Sequence, residues 1–587
     1  MPGTAPIREE ILEPLRRTLV WLAAHRDREG RILCREHAVE HTGKSAYAIV
    51  SALELLALDP ARDADFLREL AVGQARRLVA NLVREGDSPC HTFRPGWHDP
   101  FNCSNSIIDG GAASDALAEI VRRLGPTLAP EERERFLAAS VLHARTYLRY
   151  AVLDKGIPAQ RAWGLTGLAA AAAASGDADL ERAAIEAIGA LEAIQHPDGS
   201  YPYHPVEWGA EHAGESDVSA FYQSRITGFL FHALALLGRD PADPLFRGPL
   251  ARGLEFLLAL QAPDGTKCGL VEAKPWYWGA EYEVASHPFD VHALAKGWRL
   301  DGRDRFADAA VRSFRAWAAH LLPDGEPRSH LPASGRGRSY QCPLFWSAHA
   351  AWILRAAVDL EAAFAREGAA APAPSAGGSI DLRVQWFPQA ELGRLEDGRT
   401  IAWVRGKRPG VNVHHGSPRG AGLLRVFDKR AGRDVLDRGA GEWVGTAGAF
   451  SPARGWRSGS SELRFSLWLA RVHARAGRFG AALCAPGRVF RDGVIAFASP
   501  RVGSAFDLAP EVDVLEDGVL LRSALAHRDG SRAPGSALVR RFRLEGDGLA
   551  VEEHVESDGA ARSLDFRFPR GARDVVREGP RASYRIP

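Results

Sequence analysis

A turn that recurs between stretches of helical periodicity constrains the fold of this chain more than any other feature. The turns are Arg28-Glu29-Gly30, Asp198-Gly199-Ser200, Asp264-Gly265-Thr266 and Asp324-Gly325-Glu326, and the last three lie 66 and 60 residues apart. Two of them end closely similar segments, AIQHPDG at 193–199 and ALQAPDG at 259–265. A repeat of this length holds two helices with their connections, and such hairpins bury their apolar faces only against neighbouring copies.

Apolar residues recur at helical spacing from Ile7 to about Arg366, as Leu15, Leu19 and Leu22 illustrate. Stacked helical hairpins either close into a ring or continue as an open solenoid. We expect the closed form, an α/α toroid with a central cleft over residues 1–366. The open solenoid is the alternative.

The pattern changes after residue 366. Residues 367–379 read EGAAAPAPSAGGS, a composition typical of a linker. Beyond them, short segments such as 380–384, 400–404, 518–522 and 549–556 are typical of strands, and several alternate apolar and polar residues. We therefore predict a multidomain α and β chain: a toroid (1–366), a linker (367–379) and a C-terminal antiparallel β-sandwich (380–587) of roughly ten or more strands.

Charge, cysteines and motifs exclude several classes of protein. Lys and Arg number 74 against 73 Asp and Glu, so the net charge of +1 does not favour nucleic acid as a partner. Six cysteines without a CxxC pair predict neither a disulfide framework nor a usual zinc site. GxGxxG, P-loop, GxSxG and HExxH motifs are absent from the sequence, and we expect no cofactor and no metal.

The first ten residues lack the basic and apolar pattern of a secretory signal, and no nearby apolar stretch approaches the roughly 20 residues that span a bilayer. We therefore expect no membrane partner and a cytoplasmic location. A periplasmic or secreted location is the alternative if a leader has been removed. Oligomeric state stays open.

The segment 198–231 is the richest in residue types that carry chemistry. Tyr222 and Arg225 are three residues apart on a predicted helix that begins near Ser216, so they share a face. His204 and His212 lie in the loop that precedes it. Such a set is typical of acid–base catalysis, although a loop histidine is more often exposed without a role and Asp217 would equally serve as a helix cap.

The segment 90–111 carries two asparagines, Asn102 and Asn105, just before a helix predicted around 112–124. Their amides are candidates for binding an anionic group, whereas the competing interpretation is that one of them caps the helix. Cys90, His91 and Asp99 are metal-ligand types, but their spacing matches no common zinc pattern.

Aromatic and charged side chains are concentrated in the segments that follow the repeated turns. Aromatic rings stack on sugar faces, and arginines bind carboxylate or sulfate. A single tryptophan is more often core, but loop clusters favour a ligand cleft. The candidate substrate-binding residues are Trp97, Tyr203, Trp208, Trp276, Trp278, His287, Arg336 and Arg338.

The run DGSYPYH at 198–204, with Tyr222 beyond it, resembles polysaccharide lyases that combine an α/α toroid with antiparallel β domains. These are the chondroitin AC/hyaluronate lyase and heparinase II/III-like types, and residues 387–443 resemble the start of a heparinase-type β domain. The resemblance implies a catalytic histidine after the turn (His204, or His212 by its closer spacing to Tyr222), a catalytic tyrosine (Tyr222), and a neutralising asparagine from an earlier hairpin (Asn102 or Asn105).

Such a lyase cleaves an acidic polysaccharide or oligosaccharide by β-elimination at a uronic acid. The amide, helped by Arg225, would neutralise the C5 carboxylate, and tyrosine and histidine would act as acid and base. An inverting glycoside hydrolase on the same toroid is the main alternative, because paired carboxylates are available. These are Glu207, Glu211, Glu215, Asp217, Glu281 and Glu283. A non-catalytic carbohydrate-binding protein is the third hypothesis.

Overall fold

A computed structural model provides the structure of this chain. It describes residues 4–586 except 34–39, 41, 84–91, 94–106, 155–156, 203–217, 269–285, 328–342, 370–381, 407–420, 436–440, 448–466, 468–469, 472–473, 476, 478, 491–498, 508, 528–529, 547, 559–560 and 570–571. The chain divides into two compact units. The first holds Met1–Glu207, Phe221–Leu258 and Glu281–Ala371, and the second holds Trp208–Ala220, Ala259–Ala280 and Pro372–Pro587.

Helices make up the amino-terminal part of the chain. They are α1 (Thr4–Ala23), α2 (Thr42–Leu58), α3 (Ala64–Ala80), α4 (Ile108–Leu124), α5 (Pro130–His143), α6 (Arg149–Asp154), α7 (Pro158–Ser175), α8 (Ala178–Ala193), α9 (Ala220–Leu236), α10 (Pro244–Leu260), α11 (His287–Asp301), α12 (Asp304–Ala318), α13 (Pro343–Ala348), α14 (Ala350–Leu354) and α15 (Ala357–Ala369). A π-helical turn, Ala144–Leu148, joins α5 to α6. A two-stranded ribbon, β1 (Leu82–Val83) with β2 (Thr92–Phe93), follows α3.

Burial separates these helices into two classes that alternate along the chain. Helices α2, α4, α7, α9, α11 and α14 are buried on nearly every face. Helices α1, α3, α8, α10 and α12 bury one stripe and leave the other in water. A helix that is apolar all round must lie inside, and an amphipathic one must cover it. The two classes are therefore an inner and an outer ring of helical hairpins.

Contacts between the first and last hairpins close the ring. Arg17 on α1 donates from Nη1 to the carbonyl oxygen of Pro323, 3.0 Å away, and Arg8 pairs with Glu361 on α15 at 3.1 Å. An open solenoid would leave these two ends apart. The predicted α/α toroid is confirmed, and α4 and α9 begin at Ile108 and Ala220, four residues from their predicted starts.

The repeated turns have one geometry. Gly30, Gly199, Gly265 and Gly325 all have φ between 78° and 95°, a conformation that glycine adopts without steric cost. In three of them the aspartate Oδ1 accepts from the backbone N–H two residues on, at 3.0 Å, which fixes the turn locally. The turns end outer helices α1, α8, α10 and α12, and the last three recur at the length of one hairpin because α8, α10 and α12 are successive outer helices.

The second unit is built mainly from antiparallel strands. They are β3 (Arg383–Phe387), β4 (Leu392–Glu396), β5 (Thr400–Arg405), β6 (Gly422–Asp428), β7 (Arg433–Asp434), β8 (Glu442–Ala447), β9 (Arg501–Gly503), β10 (Glu511–Val514), β11 (Gly518–Ser523), β12 (Ala526–His527), β13 (Ser536–Glu545), β14 (Gly548–Ser557), β15 (Ala561–Arg567), β16 (Arg573–Glu578) and β17 (Arg581–Ile586). Their orders are β3-β4-β5-β6-β7, β12-β9-β8-β15 and β10-β11-β13-β14-β17-β16.

One hydrophobic core joins the three sheets. Leu395 and Val426 come from the first sheet, Trp443 from the second, and Phe542 and Val551 from the third. The antiparallel β architecture is confirmed. The region is not purely β, because Phe479–Phe490 forms a helix that the strand pattern did not predict.

Residues near the predicted domain boundary continue the last helix. Helix α15 runs to Ala369, past the predicted linker start at 367, and Glu367 pairs with Arg315 of α12 at 2.7 Å. The domain limits 1–366, 367–379 and 380–587 remain predictions. Within the residues that the structure describes, no helix combines the length and apolar character needed to cross a bilayer.

Candidate functional site

Aromatic side chains from the inner helices meet at the centre of the ring. We call Tyr47, Trp163, Phe229, Phe289 and Trp352 the central cluster. The ring of Phe229 lies 4.8 Å from Trp352, 5.4 Å from Phe289 and 5.3 Å from Trp163, measured between centroids, and all five side chains are buried. Burial raises the pKa of the Tyr47 hydroxyl, so this phenol stays protonated and contributes packing.

Tyr222 and Arg225 lie on the first two turns of inner helix α9, beside the central cluster. Tyr222 is half-buried, whereas Arg225 is only 1% exposed. The guanidinium carbon of Arg225 lies 4.4 Å from the Phe289 ring centroid, 5.5 Å from that of Trp163 and 5.9 Å from that of Tyr222. A buried guanidinium is stabilised by aromatic faces at these distances. The predicted pair therefore places a fixed positive charge beside a partly accessible phenol.

The DGS turn is tied directly to α9 through Gln223. The side-chain oxygen of Gln223 accepts from the backbone N–H of Tyr201 at 2.9 Å, and its Nε2 donates to the carbonyl of Gly199 at 2.9 Å. Gln223 is the residue after Tyr222 and is fully buried. The turn therefore helps to fix the backbone that carries Tyr222.

His287 and Asp290 occupy the first turn of inner helix α11. Both are buried, and Nδ1 of His287 lies 3.7 Å from Oδ2 of Asp290. His349, between α13 and α14, is also buried and lies 5.0 Å from Phe289 between ring centroids. The predicted substrate contact at His287 is thus a buried imidazole at the start of an inner helix. The prediction that it binds substrate remains untested.

A layer of polar side chains crosses the ring further along the inner helices than Tyr222 and Arg225, and the sequence analysis did not predict it. Asp115 on α4 accepts from Nη2 of Arg355 at 2.8 Å and lies 3.3 Å from Nε2 of His232 on α9. His292 on α11 is close by, 6.4 Å from His232 between ring centroids. The available signal was Asp115 and Glu119, two carboxylates four residues apart on one face of a helix whose centre is mostly apolar.

The charges in this layer follow from the pKa shifts. Burial raises the pKa of Asp115, but Arg355 and His232 outweigh it and hold that pKa below its usual value. Burial and the charge of Arg355 lower the pKa of His232, although Asp115 opposes the shift. Burial and Lys296 hold the pKa of His292 well below its usual value. The layer therefore pairs one carboxylate with one guanidinium, and its two imidazoles are neutral near pH 7.

Asp115, Glu119 and His232 also offer three potential metal-ligand atoms within 4.8 Å of one another. Both carboxylates are already neutralised. Asp115 pairs with Arg355, and Glu119 pairs with Arg122 at 3.0 Å and Arg123 at 2.8 Å. A divalent ion would add two uncompensated charges to this buried layer, which is costly. The ion pairs favour a structural role for these three residues.

All of the other predicted site residues lie outside the described residues. These are His204, His212, Asn102, Asn105, Trp97, Tyr203, Trp208, Trp276, Trp278, Arg336 and Arg338, together with all six carboxylates of the hydrolase alternative. Each falls in a segment that directly precedes a helix: 94–106 before α4, 203–217 before α9, 269–285 before α11 and 328–342 before α13.

No family model matches this chain, and no curated protein sequence matches it. Among solved structures, cellobiose 2-epimerase from Spirochaeta thermophila has 15% identity and a TM-score of 0.45 over 61% of this chain and 98% of its own.

A family 88 glycosyl hydrolase from Bacteroides vulgatus has 13% identity and a TM-score of 0.44, with 61% of this chain and 99% of its own chain covered. A polysaccharide lyase has 11% identity and a TM-score of 0.43, with 61% and 98% covered. These values are too low to assign an activity to this chain.

Proposed function

We propose that this chain is a carbohydrate-active enzyme that cleaves a uronic-acid-containing polysaccharide or oligosaccharide by β-elimination. One observation carries the proposal: a half-buried phenol, Tyr222, lies beside a fully buried guanidinium, Arg225, at the start of an inner helix. The segment that leads directly into this helix carries His204 and His212. A phenol and an imidazole can act as general acid and base, and a fixed cation can stabilise the negative charge that develops when a proton is removed beside a carboxylate.

The reaction transfers one proton from carbon and delivers one to oxygen. A base removes the proton at C5 of the uronate, and the electron pair left behind forms the C4–C5 double bond. The bond between C4 and the glycosidic oxygen breaks, and an acid protonates the departing oxygen. Tyr222 is our candidate for one or both proton transfers, and His204 or His212 is the candidate partner.

The C5 proton becomes acidic only when the adjacent carboxylate is neutralised. An amide donor from Asn102 or Asn105 is the candidate for this role, because it would hydrogen-bond the negative charge that grows in the transition state. Arg225 was predicted to assist there, and as the neighbouring cation it is also the candidate for lowering the pKa of the Tyr222 phenol. Its burial favours this second role, in which its positive charge stabilises the Tyr222 phenolate.

The test is a screen of purified protein against alginate, hyaluronan, chondroitin, heparosan, glucuronan and ulvan. Elimination creates an unsaturated uronate that absorbs in the near ultraviolet, and we expect at least one polymer to give this absorbance together with new reducing ends. New reducing ends without the absorbance would identify a hydrolase and overturn the proposal. Binding of a polymer without cleavage would support the non-catalytic hypothesis instead.

A further inference from the structure

The residue that follows the third repeated turn is a buried lysine where the other turns place an apolar residue. Two residues after the turn glycine stand Ile32, Tyr201, Lys267 and Pro327. Lys267 is only 4% exposed. Burying an ammonium is costly unless it is hydrogen-bonded, so a lysine at this position indicates a specific contact.

That contact is the first residue of α9. Nζ of Lys267 donates to the carbonyl oxygen of Ala220 at 2.8 Å, and this bond is buried. In an α-helix the same carbonyl accepts from the N–H of the residue four positions on, here Ser224. Lys267 therefore holds Ala220, and the DGS turn holds Gln223. Tyr222 lies between these two residues on the helix.

Arg425 on β6 fixes the backbone from which Lys267 extends. Its Nη1 donates to the carbonyl of Lys267 at 2.7 Å, its Nη2 donates to Oγ1 of Thr266 at 2.6 Å, and its Nε pairs with Asp434 at 2.6 Å. Arg425 is itself buried. All these residues belong to the second compact unit, as does Ala220.

Trp403 on the neighbouring strand β5 adds a second tie to the same turn. Its indole N–H donates to the carbonyl of Ala259 at 2.8 Å, and its side chain is fully buried. Arg425 lies 5.6 Å from the Trp403 ring centroid. The turn from Ala259 to Lys267 is thus fixed at its start by Trp403 and at its end by Arg425.

We infer that Lys267, held by Arg425, is a positioning residue that sets where Tyr222 lies at the start of α9. The effect of Lys267 on turnover rests on the proposed function, whereas its effect on the backbone of α9 does not. A displacement of the phenol by about 1 Å costs on the order of 10²-fold in rate, so such a contact matters for turnover.

The test compares Lys267→Met with Lys429→Met. Lys429 is the control, because its Nζ also donates to a backbone carbonyl, that of Asp397 at 2.6 Å, and pairs with Glu396 at 2.6 Å, elsewhere in the same unit. Hydrogen exchange is followed by mass spectrometry in peptides covering 218–226 and 422–428. In Lys267→Met we expect exchange in 218–226 to accelerate about 10- to 100-fold, the factor expected for loss of one charge-assisted hydrogen bond. Lys429→Met should leave that peptide unchanged.

Unchanged exchange in 218–226 would overturn the inference. Equal acceleration in both peptides would also overturn it, because Lys267 would then stabilise the unit in general and not α9 in particular.

On a polymer that wild type cleaves, Lys267→Met should lower kcat about 10- to 100-fold with little change in KM. An unchanged kcat despite faster exchange in 218–226 would also overturn the inference. If wild type cleaves nothing, the proposed function fails while the exchange result still decides this inference. If Lys267→Met does not fold, Thr266→Val should give a smaller acceleration, because it removes one Arg425 bond and the bond from Thr266 Oγ1 to Asp264 Oδ1 at 2.6 Å but leaves Lys267 in place.

Discussion

Asp115 and Arg355, 240 residues apart in sequence, form an ion pair of 2.8 Å in which both side chains are buried inside the toroid. Asp115→Asn leaves the guanidinium without its counter-charge, and we expect a loss of about 3–5 kcal/mol in the free energy of unfolding. Arg239→Gln removes an exposed pair with Glu181 in the same unit and should cost about 1 kcal/mol or less. Thermal and urea unfolding measure both, and equal effects would contradict the structural role of the buried pair.

Tyr222→Phe removes only a hydroxyl from a half-buried ring. If this phenol transfers a proton, turnover on the polymer identified by the screen should fall by about 10²- to 10⁴-fold while the melting temperature stays the same. Tyr150→Phe is the matched control, because Tyr150 is 58% exposed on α6, and it should retain wild-type turnover. Substantial remaining activity in Tyr222→Phe would remove this residue from the mechanism.

The helical ring was predictable because its signals are local. Apolar spacing of three and four residues identifies each helix, and Gly199 or Gly265 identifies each turn through a backbone conformation that other residues avoid. The carboxylates of α4 were visible in the sequence, but the pairing of Asp115 with His232 and Arg355 was not predictable, because it depends on helices that meet only in the closed ring. The same limit applies to Lys267, whose contact with Ala220 spans 47 residues.

The candidate site was predicted only in outline. Tyr222 and Arg225 were found from their spacing, which is a local property of a helix. The burial of Arg225 against Phe289 was not, since α11 supplies that ring. The helix Phe479–Phe490 was missed because its glycines and Pro486 disfavour helix, so tertiary context outweighs propensity there.

Close packing of α4 against α7 depends on glycine. A Cβ atom at Gly111 would lie 2.8 Å from the carbonyl oxygen of Trp163 and 3.0 Å from the Cα of Gly164. Backbone cannot move aside easily, so we expect Gly111→Ala to destabilise by about 1–3 kcal/mol, despite the higher helix propensity of alanine. Gly73→Ala on α3, where a Cβ meets nothing within 4 Å, should instead stabilise by about 0.5–1 kcal/mol. Urea unfolding of both variants measures the difference, and a stabilised Gly111→Ala would contradict the packing of these helices.

Glu553 on β14 makes the stability of the second unit depend on pH. Burial raises its pKa to about 8, although Arg540 opposes the shift. The folded state therefore holds a proton that the unfolded state releases above about pH 4.5. Stability should be greatest at the acidic end and fall as the pH rises from about 4.5 to 8, because the folded state binds more protons throughout this range. Hydrogen exchange in β13 and β14, corrected for the intrinsic pH dependence, should reveal this slope.

Glu553→Gln keeps the shape of the side chain without an ionisable group, so the slope should disappear in that variant. Glu552→Gln is the control, since the neighbouring carboxylate lies on the outer face of β14 and pairs with Arg543 at 2.9 Å in an exposed setting. Its replacement should leave the slope in place. If wild type and Glu553→Gln show the same pH dependence, the buried carboxyl is ionised in the folded protein at neutral pH. Its partner Arg540 would then form a buried ion pair with it, and Glu553→Gln would be destabilising at pH 7.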